Sequence, residues 1–120
     1  MANPNRLWGR TKIRVDGRLY TTEGKSSLDI GGIKRNAVQG DFRTGLHTEE
    51  DADSKVECNI LLDATVSLTA LAAIGDAVVM FECDTGQTYI VNHAYIMEPP
   101  QASDGKAKCT FVGPAAEEVK

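Results

Sequence analysis

The segment of this chain that most directly suggests catalysis is the tripeptide Asp84-Thr85-Gly86, which follows the apolar run Val78-Val79-Met80-Phe81. A carboxylate presented in this way can cleave peptide bonds if a second copy brings an equivalent carboxylate within reach. Two carboxyl groups that share one proton then supply both an acid and a base. Under this hypothesis Asp84 is the catalytic residue of a homodimer.

The residues around the tripeptide favour a turn instead. Gln87-Thr88-Tyr89-Ile90-Val91 returns at once as a strand, and Asp-Thr-Gly is a good short hairpin connection with glycine where φ is positive. The tripeptide is that of the aspartic proteases, but no later apolar strand leads into the Gly-Arg pair of those enzymes. We predict that Asp84 and Gly86 form a turn, with a small dimeric aspartic protease as the alternative.

The other potentially reactive residues form no motif. His47 lies in a polar stretch and His93 at a predicted turn, and the sequence has no phosphate-binding loop, dinucleotide fingerprint or HExxH motif. The three cysteines, Cys58, Cys83 and Cys109, are spaced 25 and 26 residues apart, which fits neither a disulfide framework nor a zinc site. Each falls on the apolar side of a predicted strand, where cysteine packs as a small apolar residue. We predict no enzyme activity, no cofactor and no metal.

Composition indicates one small domain, residues 1–120. With 120 residues, 42% of them hydrophobic, the chain is long enough for one core. No apolar run approaches the roughly 20 residues that cross a bilayer, and the first ten residues show no signal-peptide pattern, so we expect cytosolic synthesis and no stable membrane association. The net charge of −4 argues against a nucleic-acid binder with an overall basic surface.

Charge is distributed unevenly along the chain. Residues 1–36 carry a net charge of +5, residues 37–63 carry −5 and residues 64–120 carry −4. If the basic and acidic groups form separate surfaces, copies of the chain would attract head to tail, a polarity that builds rings or filaments. Each exposed pair contributes only about 0–1 kcal/mol, so apolar contacts would be needed as well, and most charge runs are simply solvated. The candidate interface residues are Arg14, Arg18, Lys34 and Arg35 on the basic side, and Glu49, Glu50, Asp51 and Asp53 on the acidic side.

Strand patterns recur along the chain. The turn-forming pair Asp16-Gly17 lies between two extended segments and predicts a tight β-hairpin. The clearest alternation of apolar and polar residues runs over 55–62. Further strands are predicted over 18–21, 28–30, 33–38, 77–83, 87–91, 94–97 and 106–112.

Three segments are predicted to be something other than strand. A short helix around 68–74 would be capped by Asp63 or Thr65. Residues 39–54 are polar and predict a long loop, and loops of more than about 12–15 residues are usually functional or disordered, so binding to a neighbour would explain this one. Residues 113–120 predict a flexible C-terminal tail.

These elements indicate a mainly β fold. Seven or eight short strands with one helix are typical of an antiparallel β-sandwich or barrel with one flanking α-helix. Three of the strands present a fully polar side. That side faces water in a monomer and could line a water-filled passage in an assembly; the pattern does not choose between the two.

Several segments of the chain resemble, in order, the tail tube proteins of Mu-like contractile-tailed bacteriophages. These segments are IRVDGRLY, GGIKRNAVQG, HTEE, KVECNI, and DAVVMFECDTGQTYIVNHAYIMEPP with the later FVGPAAEE. The similarity spans nearly the whole chain with compatible spacing. It depends on the collinear set, because the family has no catalytic signature.

The resemblance implies the phage tail-tube fold and a virion structural protein without enzymatic activity. Six copies would form a ring whose inner strands join into a continuous barrel, and stacked rings would form a hollow conduit for genome ejection inside a contractile sheath. The loop at 39–54 would reach an adjacent subunit or ring. A monomeric β-sandwich binding module is a further alternative.

The resemblance also implies the partners. They are other copies of the chain, the tail sheath protein, the tape measure protein in the lumen, the baseplate and tail terminator proteins, and phage DNA in transit without specific binding. Assembly would take place in the cytoplasm of the bacterial host.

Overall fold

A computed structural model of the protein describes residues 4–23 and 26–119. Over these residues the fold is mainly β with antiparallel sheets and one short helix, which confirms the predicted fold class. In chain order the elements are β1 (Thr11–Val15), β2 (Arg18–Tyr20), β3 (Ser27–Asp29), β4 (Gly32–Val38), β5 (Leu46–Ala52), β6 (Ser54–Leu61), α1 (Leu68–Ala72), β7 (Ala77–Cys83), β8 (Thr88–Ile96), β9 (Gln101–Ser103), β10 (Lys106–Gly113) and β11 (Glu117–Val119).

The main body is a single antiparallel sheet that closes on itself. Its strand order is β2-β1-β7-β8-β10-β6-β3, with β9 added beside β10 and β11 beside β8. The chain leaving β2 then meets β6: Thr22 bridges Ile60, the Glu23 amide donates to the Asn59 carbonyl at 2.8 Å and Ser27–Asp29 continues along the same strand. The two ends of the sheet therefore join, and the described part of the body is a small barrel without a long free edge.

Strand β8 belongs to both halves of the barrel. Thr88–Val91 and Ala94 pair with β7, whereas Tyr95 and Ile96 pair with β10. His93 lies at an irregularity of the β7 pairing, between Val91 and Ala94, and has φ +54°, a left-handed conformation that fits a bend in the strand. The sequence predicted two strands separated by a turn at His93; the structure has one strand that bends there.

The core lies inside the barrel and follows the period of two that the sequence showed. On β6 and β10 every second residue is buried, whereas Lys55 and Lys108 point outward. All three cysteines are buried, as the sequence predicted. The largest buried side chains are Phe81, Phe111, Ile13, Ile60, Leu71, Val56, Val79 and Val91.

The helix α1 packs against one side of this core through Leu71, which is almost fully buried. Its N-cap is Ser67, whose hydroxyl accepts a hydrogen bond from the Ala70 amide at 3.3 Å. The predicted caps, Asp63 and Thr65, were wrong. Asp63 instead accepts from the Thr65 amide at 2.8 Å, a local turn that uses its carboxylate before the helix begins.

The predicted loop over 39–54 is wrong for half of its length, residues 46–52 and 54, which lie in strands. Leu46–Ala52 forms β5, which pairs with β4 from Gly32↔Ala52 to Val38↔Leu46 and with no other strand of the described chain. The connection is short and contains a hydrogen bond from the Gly40 amide to the Arg43 carbonyl at 3.1 Å. Both faces of this hairpin are largely exposed, so its sequence shows no apolar alternation. We call residues 32–52 the arm.

The arm makes the molecule elongated. The principal extents are 63 × 38 × 25 Å and the radius of gyration is 17.2 Å. A compact chain of this length would have a radius of gyration of roughly 14 Å. A substantial part of the chain therefore lies away from the barrel.

The structure places a strand in the segment that was predicted as a flexible tail, residues 113–120. Glu117–Val119 is β11, paired with Thr88–Ile90 of β8. The Ala116 amide donates to the Ile30 carbonyl at 2.8 Å, which fixes the chain before β11. Glu117, Glu118 and Val119 are all exposed and show no apolar alternation, so the sequence does not mark them as a strand. Lys120 lies outside the described residues.

Candidate assembly interface

Asp84 lies in the connection between β7 and β8, where it holds the N-terminal segment. Its carboxylate accepts hydrogen bonds from the Gly9 amide at 3.2 Å, the Arg10 amide at 3.1 Å and the Arg6 guanidinium at 2.9 Å. Gly86, at φ +109°, completes the turn. Asp16 and Gly17, at φ +51° and +83°, form the β1–β2 turn.

The surroundings of Asp84 suit a structural anchor. Burial raises the pKa of this carboxyl, but the hydrogen bonds from Gly9 and Arg10 and the neighbouring Arg6 outweigh it, so the pKa lies below the ordinary value. A carboxylate that remains ionised with three donors on it is a poor partner for sharing a proton with a second carboxylate. Trp8 packs edge-on against Phe81 at 5.5 Å between ring centroids, so the segment is also held by an apolar contact.

The arm brings together four of the predicted interface residues. Strands β4 and β5 place Lys34 opposite Glu50 and Arg35 opposite Glu49. The Arg35 Nε to Glu49 Oε2 distance is 3.0 Å, and the Lys34 Nζ to Glu50 Oε1 distance is 3.9 Å. The basic and acidic groups that were expected to attract between copies are thus paired within one chain.

The remaining predicted interface residues are dispersed. Arg14 pairs with Glu82 at 3.1 Å on the barrel, and Arg18 donates to the Thr65 carbonyl and lies over the Tyr20 ring. Asp51 and Asp53 are exposed near the base of the arm. The structure therefore does not gather the eight residues into two opposed surfaces.

Apolar side chains are concentrated at the end of the arm, a feature that the sequence pattern did not predict. Val38 and Leu46 face each other as the last pair of the hairpin and are 46% and 36% exposed. Phe42 in the connection is fully exposed. A groove of about 540 Å³ lies beside this end, between Arg35 and His47. We call Val38, Phe42 and Leu46 the arm tip.

A second concave surface lies on the barrel, at the start of β1. This cleft of about 520 Å³ is lined by residues that include Arg10, Lys12, Glu82, Asp84 and Thr88. Its two carboxylates are already paired, Glu82 with Arg14 and Asp84 with Arg6. Within the described residues neither Arg10 nor Lys12 has a carboxylate within ion-pair distance, so two positive charges remain at the cleft after Glu82 and Asp84 have paired with Arg14 and Arg6.

The outward side of β6 and β10 is polar, as predicted. Lys55 pairs with Glu57 at 3.0 Å and Lys106 with Glu23 at 3.1 Å, so most of its positive charges are matched. The Lys55 ammonium lowers the pKa of the Glu57 carboxyl, which therefore stays ionised. This surface carries mixed charge with no large excess of either sign.

The structure shows no metal cluster and no membrane-spanning helix in the part of the chain that it describes. Across residues 4–23 and 26–119, no three His, Cys, Asp or Glu side chains come together as a metal site. The described helix is too short to cross a membrane.

Comparison with known proteins identifies the family. The family model for the phage tail tube protein matches residues 4–118, almost the entire chain. The chain belongs to the phage tail tube protein family. A Mu-like prophage FluMu tail tube protein of Haemophilus influenzae is 33% identical over 101 residues, which cover 83% of this chain and 85% of the relative. The tail tube protein of Escherichia phage Mu is 28% identical over 116 residues, 96% of this chain and 97% of the relative.

Family membership settles the main alternatives raised by the sequence. The resemblance to Mu-like tail tube proteins is confirmed, and a tail tube protein is a structural component of the phage tail rather than an enzyme. The protease alternative at Asp84 is therefore wrong, and the tripeptide acts as a hairpin turn and anchor.

Proposed function

We propose that this tail tube protein forms stacked hexameric rings that make a hollow conduit for DNA ejection inside a contractile sheath. The observation that carries the proposal is the arm, a two-stranded hairpin that pairs with no other strand of the described chain. The ring of six follows from the resemblance to Mu-like tail tubes.

The arm is difficult to explain in a protein that acts alone. An isolated two-stranded hairpin is marginally stable in water, because it buries too little apolar surface to offset the ordering of its backbone. Here seven-residue strands extend by roughly 23 Å at the usual rise per residue. Contact with another copy would bury the arm and stabilise it, and this contact would link one subunit to the next.

The polar outward side of β6 and β10 is the proposed lining of the conduit. DNA moves freely only along a surface that does not bind its phosphates, and an excess of lysine and arginine would bind them. Lys55 and Lys106 are paired with Glu57 and Glu23, which leaves only Lys108 among the outward lysines of the described β6 and β10 without an ion pair, so the surface stays wet without a large excess of positive charge.

The proposed partners follow from this position in the tail. The sheath protein and the tape measure protein would contact the outside and the lumen of the tube, and the baseplate and tail terminator proteins would close its two ends. Assembly would take place in the host cytoplasm, before release of the virion.

The arm can be removed without opening the barrel, which gives a direct test. Gly32 and Ala52 are paired neighbours, so replacing residues 33–51 by Asn-Gly should join them with a tight turn. We expect the variant to stay folded and to remain monomeric under conditions in which the full chain polymerises. The measurements are circular dichroism, sedimentation velocity and negative-stain electron microscopy.

A control and a contradicting result complete the test. Replacing only the connection, residues 41–43, with a polar turn of equal length keeps β4 and β5 paired and the chain length unchanged, so it distinguishes loss of the whole arm from loss of its outer end, which should also weaken polymerisation. If the armless variant polymerises as the full chain does, the arm does not link subunits and the proposed role of the arm is refuted.

A further inference from the structure

The charges that remain after pairing within the chain point to a specific contact between two copies. On the arm, Lys34 and Arg35 are paired with Glu50 and Glu49 and contribute little net charge. Over residues 32–52 the arm carries a net charge of −1. In the cleft, Arg10 and Lys12 are left over once Arg6 and Arg14 have paired with Asp84 and Glu82, an excess of two positive charges.

The arm tip also has the shape and chemistry of an anchor. Phe42 is fully exposed at the outermost connection, flanked by Asp41 and Arg43. Together with Val38 and Leu46 it forms an exposed apolar patch, and such patches mark interaction sites, where aromatic residues that become buried dominate the binding energy. The charged middle of the arm separates this tip from the barrel of its own chain, so a second molecule is better placed to cover it.

The cleft can receive such a side chain. Its volume of about 520 Å³ falls within the usual range for a pocket that encloses a side chain or small ligand. The methylene stems of Arg10 and Lys12 and the methyl group of Thr88 offer apolar contact, and the two cations can lie against an aromatic ring. A neighbouring carboxylate would then reach the unpaired cations.

We propose that the arm tip of one copy docks in the cleft of a second copy, with Phe42 inserted and Asp41 facing Arg10 and Lys12. This inference deepens the proposed function and rests on it, because the occupant is another tube subunit. The contact is heterologous, since tip and cleft are different surfaces, and repeated contacts of this kind build a ring or an open stack.

The first experiment locates the contact. The full chain with p-benzoylphenylalanine at position 42 is polymerised, irradiated and digested, and cross-linked peptides are identified by mass spectrometry. Mixing isotopically heavy and light protein distinguishes contacts between copies from contacts within one copy. We expect links to peptides that contain residues 10–12 or 82–88 of another copy. Links only to other surfaces, or only within a copy, would overturn the docking proposal.

The second experiment tests the chemistry by charge exchange. Phe42→Ser should raise the concentration needed for polymerisation by about 30-fold or more, as loss of an interface anchor does, while leaving the melting temperature unchanged because the side chain is exposed. Asp41→Lys and Lys12→Glu should each weaken polymerisation, and the double variant should recover part of the loss. Lys108→Glu, the same charge change on the outward side of β10, should have little effect.

The outcomes separate this inference from the proposed function. If the unmodified chain forms no polymer at any concentration, both are refuted. If it forms tubes but Phe42→Ser forms them equally well, or the double charge variant is no better than the single variants, only the docking contact is refuted.

Discussion

Gly31 fixes the base of the arm, and its replacement should be more costly than that of its neighbour. Gly31 has φ +69°, and a Cβ at this position would come within 2.6 Å of the Ser54 nitrogen and 2.8 Å of the Ala52 carbonyl oxygen. Both atoms belong to the backbone, so neither can move aside as a flexible side chain would. Gly32 has φ +101° and open space around its Cβ position, which makes it the matched control.

The expected costs follow from these two environments. An alanine in an unfavourable backbone conformation costs about 1–3 kcal/mol, and this applies at both positions. Steric overlap in a closely packed site adds about 1–3 kcal/mol, and this applies only at Gly31. We therefore expect Gly31→Ala to lower the free energy of unfolding by about 2–6 kcal/mol and Gly32→Ala by about 1–3 kcal/mol.

Urea denaturation followed by circular dichroism measures both values, at a concentration below that of polymerisation so that association does not contribute. The difference between the two variants is the informative quantity, because it isolates the overlap with the start of β6. Equal destabilisation by the two substitutions, or a neutral Gly31→Ala, would refute the close approach of the arm base to the barrel.

Three further predictions concern the barrel. Ser54 is fully buried, and its hydroxyl proton is shared between the carbonyl oxygens of Gly113 and Pro114, so Ser54→Ala should lower the free energy of unfolding by about 1–3 kcal/mol in urea denaturation. An unchanged midpoint would contradict this contact. Burial raises the pKa of the Cys58 thiol to about 12, so between about pH 8.5 and 12 this thiol ionises only in the unfolded state, and stability falls as pH rises. Cys58→Ala should flatten that decline by up to about 1.4 kcal/mol per pH unit. An identical slope in the variant would contradict the burial of this thiol. In assembled tubes Lys108→Cys should react with a small maleimide but not with a maleimide attached to a bulky polymer. Val78→Cys, on the opposite half of the barrel, should not share this dependence on reagent size. If the bulky reagent reaches Lys108→Cys equally well in tubes and in free subunits, residue 108 does not line the lumen.

The elements that the sequence predicted well are those with one buried and one wet face. The alternation over 55–62 and 106–112 arises because β6 and β10 each bury every second residue in the barrel. The hairpin at Asp16-Gly17 was predictable because the two residues of the turn themselves favour the positive φ angles that the turn needs. In these cases the residues that determine the structure are neighbours in the chain.

The elements that the sequence did not predict either are exposed on both faces or depend on contacts between residues that are distant in the chain. Strand β5 has water on both faces, so hydrophobic periodicity does not mark it, and β11 is three exposed residues paired with β8. Asp84 is an anchor only because Gly9 and Arg10 fold back onto it from more than 70 residues away. Charge is unevenly distributed along the chain, as the sequence shows. The β4–β5 register nevertheless pairs Arg35 with Glu49, so these two charges are not left for a partner.

Negative-stain electron microscopy of the purified full chain over a series of increasing concentrations shows whether the chain assembles into a tube. We expect rings and tubes with one uniform bore and six-fold end views. A strictly monodisperse monomer at every concentration, or irregular aggregates without a bore, would contradict it.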